Sequence, residues 1–208
     1  MSRITALVPE PQGPGSVRIE LDGERFASVA PEVIRQHGLR VGQELDGGLR
    51  NRLTVDADAE AAYRTALRAI ERRSFARADL ARRLRRKGHT AEAIEAALAR
   101  AAEQGLLDDA AFAANFVETR SARGRGPARL ARDLAAMGVA RSVIDRAVAG
   151  HSGALEGQPD MSLALATKRA AQLRDLPRQV RRRRVLAFLA RRGFSGREVS
   201  EMVGKLLA

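Results

Sequence analysis

Asp108 and Asp109 stand side by side near the head of "GLLDDAAFAANFVETRSARGRG", residues 105–126, and a glycine–arginine stretch closes it. Neighbouring carboxylates can hold a divalent cation or share a proton, and a glycine-rich loop with arginines can wrap a phosphate. Together they would make a site for phosphoryl transfer or metal-assisted hydrolysis. The surroundings argue against both halves. No second carboxylate pair and no histidine cluster lies at ligand or acid–base spacing nearby. "SARGRGPAR" (121–129) fits neither the phosphate-loop nor the dinucleotide-binding pattern, and a helical stretch replaces the strand that should precede either. His37, His89 and His151 are isolated in sequence and read as ordinary surface or turn residues, and there is no cysteine. The expectation is therefore no catalytic group, no metal site and no cofactor site.

The same residues have local work in helix punctuation. Asp108 as N-cap accepts from the open N–H groups of a first turn, and Asp109 at the first helical position favours the positive end of the helix dipole. Leu107 and Phe112 then hold the positions of a hydrophobic staple. Pro127 suits the start of the next helix, so residues 121–129 read as an inter-helix connection. Arg123, Arg125 and Arg129 remain available to phosphate or to an acidic partner surface.

The elements that carry these residues repeat along the chain. Residues 79–98, 129–148 and 184–203 superpose without a gap: Leu80, Leu130 and Val185 align, as do Leu84, Leu134 and Leu189, and then Gly88, Gly138 and Gly193. Ile94, Ile144 and Val199 follow, then Leu98, Val148 and Val203. Apolar residues four apart, a glycine able to adopt the left-handed conformation, and a second apolar set spell helix, tight turn, helix. An amphipathic stretch precedes each copy, at Tyr63, Leu67 and Ile70, at Phe112, Phe116 and Val117, and at Leu165 and Leu173. The fold class expected is mainly α, with three tandem three-helix repeats at residues 57–104, 105–158 and 159–208.

Residues 1–56 carry a different chemistry. Val17, Ile19 and Leu21 alternate with Arg18, Glu20 and Asp22, the period of a strand with one buried face. Asp22 and Gly23 suit a tight hairpin turn, and a loop with Pro9, Pro11, Gly13, Pro14 and Gly15 separates this hairpin from an earlier strand at residues 4–8. Pro31 opens a short helix that stops at Gly38. This segment reads as a small β-rich module.

At 45% hydrophobic and 30% charged, the 208 residues compose a globular protein, and no apolar run nears the roughly 18 to 20 residues of a membrane span. With no signal-peptide pattern and no cysteine, a soluble cytoplasmic protein is expected. The formal charge of +12 favours a polyanionic partner. Its distribution is uneven. Residues 1–55 balance seven basic against seven acidic side chains, whereas residues 159–208 carry twelve basic and four acidic. Residues 72–87 form one basic run, in which Arg82, Arg83, Arg85, Arg86 and Lys87 belong to a helix with its buried stripe at Leu80 and Leu84. The second run, Arg181, Arg182, Arg183 and Arg184, surrounds an expected helix start where positive charge opposes the dipole. No acid follows until Glu198, so with Arg178, Arg191 and Arg192 it is the stronger candidate for an anionic surface. One Tyr, six Phe and no Trp leave little for unpaired bases to stack on.

Three ordered motifs carry a resemblance. Residues 103–148 resemble the central signature of the RecX regulatory proteins: glycine, hydrophobic, Asp-Asp, Phe, aromatic, Arg, a basic Gly-x-Gly-like loop and a Leu-x-x-x-Gly ending. "RADLARRLRRKG" (77–88) is similar to the first motif of that family and "RRRRVLAFLARRGFS" (181–195) to its last. The sequence departs from the pattern at Ala76, where a Ser N-cap is usual, and at Met137, where Lys or Arg is common. The β-rich module resembles an extension found in some members. The resemblance implies an elongated, curved array of helical repeats that binds the RecA recombinase and the groove of its filament on DNA. It implies negative regulation of ATP hydrolysis, strand exchange and co-protease function in DNA repair, recombination and the SOS response, with no chemistry of its own; the charge fits weak non-specific DNA binding as a second activity, and a monomer is expected. The alternative is a sequence-specific helix-turn-helix transcription regulator, since each repeat pairs two helices across a glycine turn. Residues 91–103 suit groove reading poorly, with Glu92, Glu95 and Glu103 opposed by Arg100 alone.

Overall fold

The alternation at residues 17–22 becomes a strand that buries Ile19 and Leu21, and the turn residues behave as their types require: Asp22 (φ 51°) and Gly23 (φ 86°) both take positive φ. That pair of angles is the type I′ hairpin turn, whose twist matches that of the strands it joins. The computed structural model describes residues 2–208 apart from Gln12, Pro14 and residues 155–159, and of residues 153 and 154 the backbone alone. Four strands form one antiparallel sheet in the order β3-β2-β1-β4: β1 (Ser2–Pro9), β2 (Val17–Leu21), β3 (Glu24–Val29) and the short β4 (Glu44–Leu45). Between β3 and β4, helix α1 (Pro31–Gln36) starts on its proline and ends ahead of Gly38 at φ 58°.

The helical period is legible in sequence from about residue 57, yet helix α2 runs Gly47–Ile70. Gly47 and Gly48 disfavour a helix locally. Two contacts outweigh them: the Asp46 carboxylate accepts the Leu49 N–H at 2.7 Å, and Leu49 and Leu53 are buried against the sheet. The same helix then buries Ala62, Tyr63, Ala66 and Ala69 in a second core with Phe75, Leu80, Leu84, Ile94 and Leu98. Helices α3 (Arg77–Arg86) and α4 (Ala91–Glu103) supply that core. Ala76 stands at the N-cap of α3 with no side-chain acceptor, as its residue type dictates.

The chain divides into two units, residues 1–108 and 109–208. The second holds α5 (Asp109–Ser121), α6 (Pro127–Met137), α7 (Arg141–Ala154), α8 (Met161–Ala171), α9 (Arg178–Arg192) and α10 (Arg197–Leu206). Helix α5 begins at Asp109, which leaves Asp108 in the N-cap position. Leu107 joins the helical core of residues 1–108, and Phe112 stacks on Phe116 with ring centres 6.2 Å apart. No helix among the described residues is long and apolar enough to cross a membrane.

The three repeats end their middle helices in one way. Gly88, Gly138 and Gly193 take φ of 90°, 86° and 92°. The following residue reaches back to a carbonyl in the last helical turn, from His89 to Leu84, from Val139 to Leu134 and from Phe194 to Leu189. This is the Schellman arrangement, which favours glycine at the left-handed position. Among the aligned apolar positions Leu84, Leu134 and Leu189 are all fully buried, and Val148 and Val199 are half-buried.

A second device fixes the turn of the first repeat. Asp58, on α2, accepts from the Thr90 N–H at 3.0 Å, from the Thr90 hydroxyl at 2.9 Å, and contacts His89 Nδ1 at 2.7 Å. Burial pushes its carboxyl up, but the bonds from His89 and Thr90 together outweigh that and hold it below the ordinary aspartate value. Asp58→Ala is expected to lower stability at pH 7 by about 1–2 kcal/mol in urea unfolding. Because the folded carboxyl is the more acidic one, this contribution is complete above its unfolded pKa. The gap between variant and wild type therefore closes as pH falls through the folded value, and a gap constant from pH 7 to pH 3 would refute the assignment.

Candidate polyanion-binding surface

The arginines of the first repeat are mostly answered locally. Arg82 pairs with Asp79 at 3.2 Å and Arg77 with Glu95 at 2.7 Å. Arg73 reaches Asp79 at 3.5 Å and lies 3.7 Å over the Phe75 ring; Arg83 is half-buried, 6.0 Å from the same ring. Arg85, Arg86 and Lys87 are exposed at the C-terminal end of α3. Positive charge there complements the negative end of the helix dipole, so local stability accounts for their presence.

The glycine–arginine loop at residues 121–129 is filled from within the protein. The Gly126 N–H donates to the Arg192 carbonyl at 2.7 Å and the Ala128 N–H to the Gly193 carbonyl at 3.3 Å. These are amides that a phosphate cradle would have to leave open. Arg125 and Arg129 converge on Asp133, at 2.6 and 3.2 Å, and Arg129 Nη1 also donates to the Arg191 carbonyl at 3.4 Å. Arg123 stays exposed.

The third repeat differs in kind. Helix α9 starts on Pro177 and Arg178, a turn earlier than the arginine run itself. The cost of positive charge against the dipole is confined to the first turn, so it falls chiefly on Arg178 and spares Arg182, Arg183 and Arg184. Arg181 is half-buried with its Nε enclosed, Arg182 donates to the Ser200 hydroxyl at 2.8 Å, and Arg192 reaches the Gly124 carbonyl at 3.4 Å with its guanidinium 4.9 Å from the Phe188 ring. Arg178, Arg183, Arg184 and Arg191 are exposed and make no ion pair among the described residues. Val185 and Leu189 set the buried side of α9, which places Arg183, Arg184 and Arg191 around exposed Ala187 on the opposite side. Arg184 and Arg191, two turns apart, are separated by about 10 Å along the axis. Three guanidinium groups around a low alanine surface let a polyanion approach closely with no acid in between.

Sequence reasoning missed a polar cluster on the other unit. Glu60 on α2 is 4% exposed, accepts from the Ser16 hydroxyl, and pairs with Arg100 of α4 at 2.8 Å. Arg100 lies 4.0 Å over the Tyr63 ring, and the Tyr63 hydroxyl bonds to Gln104. Glu10, 5% exposed, accepts from Ser28 and from Arg25, the latter at 2.9 Å. The signal was present in one place: Glu60 sits three residues before Tyr63, on the buried stripe of an amphipathic helix.

Comparison with known proteins adds an independent finding. Residues 108–148 match the model of the second three-helix domain of RecX, and residues 160–203 that of the third. The regulatory protein RecX of Pseudomonas putida strain W619 is 37% identical over 150 residues, 71% of this chain and 90% of that protein. The regulatory protein RecX of Thermobifida fusca is 43% identical over 131 residues, 62% of this chain and 69% of its own. A solved structure, the crystal structure of regulatory protein RecX, overlays with a TM-score of 0.81 at 26% identity and takes in 99% of this chain and all of the other. That coverage includes the strand-rich first quarter. The structure of RecX from Lactobacillus salivarius shares the fold at a TM-score of 0.64 over 72% of this chain. Agreement of this extent, with the three-helix domains in the order their repeats predict, makes the chain a member of the RecX family of regulatory proteins.

Proposed function

We propose that the protein is a negative regulator of the RecA recombinase, binding RecA and the groove of the RecA–DNA filament as a monomer. Bound there, it suppresses ATP hydrolysis, strand exchange and co-protease activity during DNA repair, recombination and the SOS response. Membership of the RecX family carries this reading, and the uncompensated arginines of α9 support it. DNA on the axis of a filament gives the groove a negative potential, which steers a cationic protein inward and rewards each arginine that meets phosphate. Binding and steric obstruction are the whole of the mechanism, with no covalent step by the regulator.

The deciding experiment adds the purified protein to RecA, single-stranded DNA and ATP and follows hydrolysis. The expected result is inhibition that saturates near stoichiometric amounts; an unchanged rate at that ratio overturns the proposal. A helix-turn-helix transcription regulator would instead protect a defined site on random duplexes without RecA.

A further inference from the structure

Residues 121–129 connect α5 to α6, and the end of helix α9 packs onto them. The last carbonyls of a helix have no partner in their own helix, and the first amides of a helix have none either. Here one set satisfies the other. The Arg192 and Gly193 carbonyls accept from Gly126 and Ala128, at the start of α6, and the Arg191 carbonyl accepts from the Arg129 guanidinium. The positive end of α6 thus meets the negative end of α9, which is favourable electrostatically as well as by hydrogen-bond count.

The approach is so close that only glycine fits on either side. A Cβ on Gly126 would stand 2.6 Å from the carbonyl carbon and oxygen of Gly193, and 2.8 Å from the Phe194 ring. A Cβ on Gly193 would run into the backbone N and Cβ of Arg129 and stand 2.8 Å from the Gly126 carbonyl oxygen. The equivalent glycine of the first repeat provides the contrast. Gly88 has the same left-handed backbone, φ 90° against 92°, and a Cβ there would meet nothing within 4 Å. Gly193 is therefore constrained twice, by its φ and by its neighbour, and the second constraint has no counterpart at Gly88.

We propose that residues 121–129 and the last turn of α9 form a fixed joint between the second and third repeats, made by Gly126 and Gly193. It carries the arginines of α9 and Arg123 of the loop on one rigid body. Without that joint the charges of α9 and of Arg123 would stand at variable spacing.

The native chain has no cysteine, so spin labels can be placed at Ala135→Cys on α6 and Ala187→Cys on α9, both exposed positions. The distance distribution between them is expected to be single and narrow, to broaden in Gly193→Ala, and to stay narrow in Gly88→Ala. Gly88→Ala imposes a similar backbone strain, about 1–2 kcal/mol, without the clash. In hydrogen exchange the Gly126 amide is expected to be protected at least about 100-fold, and Gly193→Ala to abolish that protection while α9 core amides such as Leu189 keep theirs. A broad distribution in the labelled protein with both glycines intact, or free exchange at its Gly126 amide, overturns the joint. So does a Gly193→Ala protein that keeps both the narrow distance and the protection. Should Gly193→Ala fail to fold, the two measurements on the protein with both glycines intact decide the matter alone. Neither readout involves RecA or DNA, so the joint stands or falls separately from the proposed function.

Discussion

Alanine at Arg178, Arg183, Arg184 and Arg191 together is expected to weaken binding to a short DNA duplex by about 100- to 1000-fold near 0.1 M salt. The argument is one of counterions. Each arginine that neutralises a phosphate releases a condensed cation, and the logarithm of affinity falls with the logarithm of salt at about 0.9 per contact. Removing the three contacts around Ala187, with Arg178 beside them at the helix start, should flatten that slope by about 3. These four are chosen because they are exposed and have no ion pair among the described residues, so their removal leaves no acid unpaired. Arg82, held by Asp79 at 3.2 Å, is the comparison: Arg82→Ala should leave the slope unaltered. If the fourfold variant keeps its helical circular dichroism and its salt slope, α9 is not the DNA-binding surface. Measuring the same variant on RecA–DNA filaments then separates a contact with phosphate from a contact with RecA.

The largest stability effect is expected at Glu60. Truncation to alanine leaves Arg100 and Ser16 without their partner in a site where the carboxylate is 4% exposed. Arg100 keeps 35% of its side chain exposed and can be rehydrated, so the cost is that of buried polar groups left unsatisfied, about 1–3 kcal/mol, against a total folding stability of about 5–15 kcal/mol for a typical protein. Glu60→Gln keeps an acceptor for Ser16 and should recover part of the loss. Urea unfolding at neutral pH measures both. Equal midpoints for Glu60→Ala and wild type would mean that the cluster adds nothing to the fold.

The repeats were legible because their signals are local. Leu80 and Leu84, the glycine four residues later, and the same spacing at 130, 134 and 138 are enough to define helix, turn and helix. The hairpin at Asp22 and Gly23 was legible for the same reason. What escaped depends on residues far apart in the chain. The start of α2 at Gly47 requires knowing that Leu49 and Leu53 meet the sheet, and two glycines argue the other way until that is known. The site divides along the same line. The charge excess of residues 159–208 is a matter of counting, but which arginines stay unengaged is not. Arg129 and Arg192 are drawn into the joint between repeats, and Arg182 onto Ser200, by groups that lie 18 to 68 residues away.

The unbroken run of α2 has a thermodynamic corollary. One helix seals the sheet with Leu49 and Leu53 and the bundle with Tyr63 and Ala66, so neither core can open without fraying the other. Heating should release residues 2–103 in one calorimetric transition, with no intermediate in which strands have melted and helices persist. A cut at residue 56 would leave each core its own lining and uncouple the two transitions.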